Sequence, residues 1–170
     1  MAELASFLQA TWPHAQLALF GSSANGFSFR HSDLDVSLTW PSLSGPGGRR
    51  EAQLQLVEEL AAKLRKMPGV GRVVAITSAK VPIVKLYHKR HKVDADISVS
   101  NTLARENTKL LATYTAVDER ARVLGYLVKL LAKVLDIGDA SKGSLSSYAY
   151  ILMVIFYLQQ VATARGDLAH

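Results

Sequence analysis

The chain has 170 residues, 49% of them hydrophobic and 20% charged, which is the make-up of a globular protein long enough to bury a core. It contains no cysteine, so disulfides and thiolate metal sites are excluded. The net charge of +6 favours a polyanionic partner. Met1-Ala2-Glu3-Leu4 lacks the basic-then-apolar order of a secretory signal, so a soluble, cytoplasmic protein is the expectation.

Residues 3–10 read as a short helix, broken near Trp12-Pro13. Leu17 to Phe20 is a short apolar strand, Ser22 to Phe27 a turn or first helical turn, and Leu34 to Trp40 a second strand. Between these lie Gly21-Ser22-Ser23 and Asp33-Leu34-Asp35. A small Gly-Ser turn can lie against a triphosphate. Two carboxylates at i and i+2 of a strand share a face, so Asp33 and Asp35 point one way while Leu34 and Val36 turn into the core. Such a pair repels itself unless a cation lies between its members, and hard oxygen donors suit Mg²⁺ accompanied by substrate phosphates.

Pro41 to Gly48 is a loop of Pro, Gly and Ser. Arg49 to Met67 carries Leu54, Val57, Ala61 and Leu64 at helical spacing, and Pro68-Gly69 ends that helix. Val70 to Thr77, Pro82 to Tyr87 and Lys92 to Val99 read as strands, the last two forming a hairpin, which makes a mixed sheet with a helix packed on it. From Asn101 onward the pattern is helical: 103–115, 118–135 and 145–162. The last helix is apolar nearly all round from Tyr148 to Leu158, a run too short for the roughly 20 residues of a membrane span. It reads as a buried core helix with little chain left to cover it.

Three further features bear on chemistry. Val93-Asp94-Ala95-Asp96-Ile97 places two more carboxylates on one strand face, either of which could supply a third ligand to a phosphoryl-transfer site. The other reading of that pair is an exposed edge strand protected by charge. Lys129 and Lys133 lie one helical turn apart and repel each other unless an anion such as a β,γ-phosphate pair intervenes. The run Lys85 to Lys92 makes Lys89, Arg90 and Lys92 candidates for lying along an RNA backbone, against the plainer reading of a solvated hairpin turn. Ser144 is read as the N-cap of the last helix, whose free N–H groups would suit an anion. Gly21 to Gly26 is not followed by Lys-Ser or Lys-Thr, which excludes a Walker-type P-loop, and the five histidines show no ligand spacing.

With these pieces in place, the chain resembles the DNA polymerase β-like nucleotidyltransferase superfamily, and within it the terminal uridylyltransferases and non-nuclear poly(A) polymerases. The likeness runs from Leu17 to Gln160. It is carried by Leu19 to Gly26, by Ser32-Asp33-Leu34-Asp35, by residues 82–107 and by residues 137–150. The second and third of these look most like the animal zinc-knuckle terminal uridylyltransferases. The fold implied is an α/β (α+β) palm with a mixed sheet over 1–98, followed by a partial all-helical domain over 99–170.

The resemblance implies that Asp96, rather than Asp94, completes the catalytic and metal-binding set with Asp33 and Asp35, holding Mg²⁺ or Mn²⁺. It implies UTP contacts at Ser22, Asn101, Asn107, Lys129, Lys133, Ser147 and Tyr148, with Gly21 in the turn against the triphosphate. The reaction implied is attack of an RNA 3′-hydroxyl on the α-phosphate of UTP. Family members continue past residue 170 into a segment that distinguishes uracil from adenine. A truncated helical domain is therefore the expectation, its last helix awaiting a protein partner or the missing C-terminal segment. Poly(A) polymerase activity, or a non-catalytic RNA- or protein-binding module, are the alternatives.

Overall fold

The structure is a computed structural model and describes residues 1–39 and 49–164. The loop expected at Pro41 to Gly48, and the strand's extension to Trp40, lie outside the described residues. Two compact units divide the chain, Met1–Lys109 and Leu110–His170.

In the first unit, α1 (Ala2–Gln9) precedes β1 (Gln16–Phe20), the short α2 (Ser22–Asn25), β2 (Leu34–Thr39), α3 (Arg49–Leu64), β3 (Val70–Ile76), β4 (Ile83–His88) and β5 (Val93–Val99), and α4 (Thr102–Val117) leads out of the unit. The sheet order is β1-β2-β5-β4-β3. β2 and β5 pair in parallel and every other neighbouring pair is antiparallel, so the sheet is mixed, with β4 and β5 forming the expected hairpin. The strand bearing Asp94 and Asp96 is flanked on both sides, which corrects the reading of it as an exposed edge. Spacing fixes which face of a strand a residue takes but not which strand lies beside it.

Strand alternation decides what each sheet face does. Val36 and Leu38 of β2, Val84 and Leu86 of β4, and Ala95, Ile97 and Val99 of β5 are buried in one core. Leu8 of α1 and Leu56, Val57, Leu60, Ala61 and Leu64 of α3 belong to the same core. The α3 residues follow the i, i+3, i+4, i+7 spacing of one helix face, and each buried Leu or Val contributes roughly 1.5–3 kcal/mol. The alternate positions, Asp35 and Ser37, Asp96 and Ser98, and Lys85, take the other face.

The second unit holds α5 (Glu119–Val134), a short 3₁₀ turn (Ala140–Lys142) and α6 (Ser147–Ala164). Ala121 of α5 packs with Val154 and Leu158 of α6, joined by Leu124 and Val128. Asp118 caps α5, its carboxylate accepting from the Arg120 N–H. Ser146, not Ser144, caps α6: its Oγ accepts from Ala149 N–H, while the Ser144 hydroxyl is engaged with the backbone N–H and C=O of Asp139. The expected all-round burial of α6 is only half realised, since Ile151, Val154, Ile155 and Leu158 are buried but Met153, Phe156 and Tyr157 are exposed. No described helix is long and apolar enough to cross a membrane.

Candidate active site

The site grows from the β2–β5 pairing. Asp35 lies in register with Asp96, and on the next strand Lys85 lies in register with Asp96. Neighbouring strands run about 4.8 Å apart, so two carboxylates and one ammonium form a row across the sheet on one face. Asp33 stands just ahead of β2 rather than within it, exposed, while Asp35 and Asp96 are half-buried.

Lys85 Nζ donates to Asp96 Oδ2 at 2.6 Å. The Lys85 amine is held above its ordinary pKa, first by that hydrogen bond, against partial burial acting the other way, and then by the charges of Asp96, Asp33 and Asp35. One cation therefore feels all three expected carboxylates. The strand spacing revealed only that each pair could share a face, and the basic run had drawn attention to its turn rather than to Lys85. The missing signal was the register of β4 against β5.

Gly21 explains why the turn before the aspartates is glycine. Its φ is +66°, and a Cβ built there would fall 2.1 Å from Asp35 Oδ2. The carboxylate lies against the Gly21 backbone, and no other residue fits without displacing it. The Gly21 N–H donates to Thr108 Oγ1 at 2.8 Å, and the Thr108 hydroxyl donates in turn to Ala104 C=O at 2.7 Å, so α4 holds the turn in place. Thr108 is buried, and nothing in its sequence context pointed to this duty.

Of the other expected residues, Ser22 opens α2. Asn101 precedes α4 and caps it, its Oδ1 accepting from Ala104 N–H at 3.2 Å. Asn107 is half-buried on α4. Lys129 and Lys133 lie on α5 and Ser147 and Tyr148 open α6, all four in the second unit. Lys89, Arg90 and Lys92 are exposed in the β4–β5 turn. That turn leads into β5 three residues before Asp96, about 10 Å along the strand. Asp94 pairs with Arg72 at 3.5 Å.

The reading of the histidines needs correction. Among the described residues, Glu3, His88 and His91 form the one set of three such side chains whose ligand atoms all lie within 4.8 Å of one another. The aspartates stand wider, around the Lys85 amine. Spacing could not reveal the cluster, because Glu3 arrives from the other end of the unit.

Residues 1–116 match the family described as the central palm domain of mitochondrial-like poly(A) RNA polymerase. The chain belongs to this family. Relatives include terminal uridylyltransferase 4 of Mus musculus, 52% identical over 159 residues, and terminal uridylyltransferase 7 of Homo sapiens, 51% identical over 157; each alignment covers 92% of this chain and 10% of the relative. Poly(A) RNA polymerase GLD2 of Mus musculus is 38% identical over 161 residues, 93% of this chain and 33% of that protein. Among solved structures, mtPAP in complex with UTP superposes with a TM-score of 0.82 at 27% identity, covering 91% of this chain and 36% of that one. The GLD-2/RNP-8 complex gives 0.83 at 31% identity, covering 93% and 48%. The expected kinship with terminal uridylyltransferases is borne out, as is the palm with its mixed sheet and following helices. The chain spans about a tenth of the length of the uridylyltransferases it matches.

Proposed function

We propose that this chain is the palm and adjoining helical segment of an RNA 3′-terminal nucleotidyltransferase, and that the group it transfers is uridylate. The observation that carries the reading is the pairing of Asp35 with Asp96 in register on one sheet face, with Asp35 laid against Gly21 and Asp33 just ahead of β2. Three oxygen donors beside the Lys85 ammonium make a set that fits a hard divalent ion, and these three would hold Mg²⁺ or Mn²⁺. Such an ion supplies charge neutralisation at the triphosphate and a lowered pKa for the attacking hydroxyl.

The residues of the chain do the rest. The Gly21-Ser22 turn presents backbone to the triphosphate at the start of α2. Asp35 and Asp96, in register on parallel strands, present their carboxylates on one face of the sheet. The RNA 3′-oxygen bonds to the α-phosphorus, the α–β phosphoanhydride bond breaks, pyrophosphate leaves, and the hydroxyl proton passes to solvent. The exposed turn bearing Lys89, Arg90 and Lys92 lies at the same end of the sheet and suits the RNA backbone. Contacts from Asn101, Asn107, Lys129, Lys133, Ser147 and Tyr148 to the nucleotide belong to this proposal, each tested by loss of UTP affinity on substitution.

Uridylate over adenylate is favoured by the identity gradient, 52% to a terminal uridylyltransferase against 38% to a GLD2 poly(A) polymerase. The palm itself is permissive, since mtPAP has been crystallised with CTP, ATPγS, GTP and UTP. The test is extension of a labelled RNA with Mg²⁺ and each nucleotide separately, using the chain and any longer product of its gene. Extension with UTP above the others is expected. Preference for ATP points to poly(A) synthesis, and no extension by either protein refutes the transferase reading.

A further inference from the structure

We infer that Glu3, His88 and His91 bind a transition-metal ion of the zinc class, at a site separate from the carboxylates, and clamp the first turn of α1 to the β4–β5 turn. His91 Nε2 lies 3.5 Å from Glu3 Oε2, and the His88 and His91 rings lie 4.6 Å apart at a tilt of 37°. Ligands held at roughly 2.0–2.2 Å around a tetrahedral ion stand about 3.4 Å from one another. The Glu3–His91 pair already meets that separation, and with all ligand atoms within 4.8 Å the set closes by a shift of little more than an ångström.

The second observation is His88 itself. It is 7% exposed, and among the described residues its Nε2 has no hydrogen-bond partner, while Nδ1 receives a long 3.4 Å contact from the His91 N–H. An orphaned buried polar nitrogen is unfavourable, and ligation at Nε2 would relieve it, the ring proton then sitting on Nδ1 and the long His91 contact being given up. The ring is also held firmly: a Cβ at Gly69, where φ is +80°, would come within 2.9 Å of its Cε1. The rigid member is thus the buried one, and the two that must move have side chains about half exposed.

Position and donor type separate this site from the aspartates. His88 is two residues beyond Leu86 on the apolar face of β4, whereas Lys85 and the carboxylates occupy the other face. Beside the three ligands lies a cavity of about 340 Å³, otherwise lined by apolar residues such as Leu34 and Leu86, which leaves space for a fourth, exchangeable ligand. Two imidazoles and one carboxylate select Zn²⁺ or Co²⁺ over Mg²⁺, the reverse of an all-oxygen set. The nearby cations Lys89, Arg90 and Lys92 oppose any bound ion, but all three are exposed and screened.

The experiment is a Co²⁺ titration of the whole chain carrying Asp33→Asn and Asp35→Asn, in excess Mg²⁺, followed by visible absorption and calorimetry. One equivalent is expected to bind with a low-coordinate Co²⁺ spectrum and to be displaced by Zn²⁺. His91→Ala and Glu3→Gln, both at exposed positions, should each weaken binding beyond the roughly 10–100-fold that loss of an outer-shell partner costs. Absence of Co²⁺ binding in this background, or an isotherm unchanged by His91→Ala, overturns the proposal. Neither result bears on the aspartates.

Discussion

The two faces of the central sheet are built from the same strands and differ by one residue of register. On one face Val36, Leu38, Val84, Leu86, Ala95 and Ile97 meet α1 and α3 in a dry core. On the other stand Asp35 and Ser37 of β2, Asp96 and Ser98 of β5, and Lys85 of β4. The first face supplies stability, and the second is the one to which the chemistry is proposed to belong. Because strand alternation is strict, neither can be altered by a register slip without destroying the other.

Substitutions can separate the two. Asp96→Asn keeps shape and volume while removing a carboxylate charge; RNA extension is expected to fall by about a thousandfold or more, some 4 kcal/mol of barrier, while loss of the Lys85 ion pair lowers unfolding stability by no more than about 1 kcal/mol. A matching loss of stability would mean that the faces are not separable. Leu60→Ala acts on the dry face. It should cost about 2–5 kcal/mol in denaturant unfolding, while the fraction still folded binds UTP with unaltered affinity.

Gly21→Ala tests the seam between turn and carboxylate. A methyl group 2.1 Å from Asp35 Oδ2 and a φ of +66° require either the turn or the aspartate to move. Transfer should drop about 10–100-fold, with an unfolding cost of only about 1–3 kcal/mol. Equal activity would show that Asp35 is not confined by the turn.

Lys85→Met should have the smallest effect. Removing the ammonium from among three carboxylates is expected to lower the Mg²⁺ concentration needed for half-maximal activity a fewfold, while the maximal rate falls because Asp96 loses its partner. The sign of the pH effect follows from the raised pKa of Lys85. Its contribution to stability is present below about pH 10.5, the unfolded value, and is lost as pH rises through the folded value. Alkaline unfolding above that pH should therefore be shallower in Lys85→Met than in the unsubstituted chain.

Much of this was legible in the sequence, for reasons that also mark where legibility ends. The strands of the palm announce themselves through Val- and Ile-rich runs, and α3 through its spaced apolar residues. Asp33 and Asp35 stand out because a Gly-Ser turn precedes them. Local pattern stops at the strand: it cannot say that β5 inserts between β2 and β4, so Asp96 could be named only through kinship, and its lysine partner was missed. The histidine cluster was missed for the same reason, since Glu3 and His88 meet only once the chain has folded. The exchange of Ser146 for Ser144 as the α6 cap turns on the 3₁₀ turn, which engages Ser144 with Asp139 instead.

The central claim is that one sheet face binds nucleotide through a divalent ion held by its aspartates. Its most direct test is calorimetric titration of UTP into the chain with and without Mg²⁺, repeated with Asp33→Ala combined with Asp35→Ala. The account predicts saturable binding that requires Mg²⁺ and vanishes in the double variant while the fold, followed by circular dichroism, persists. UTP binding that is indifferent to the metal, or that survives the loss of both carboxylates, would contradict it.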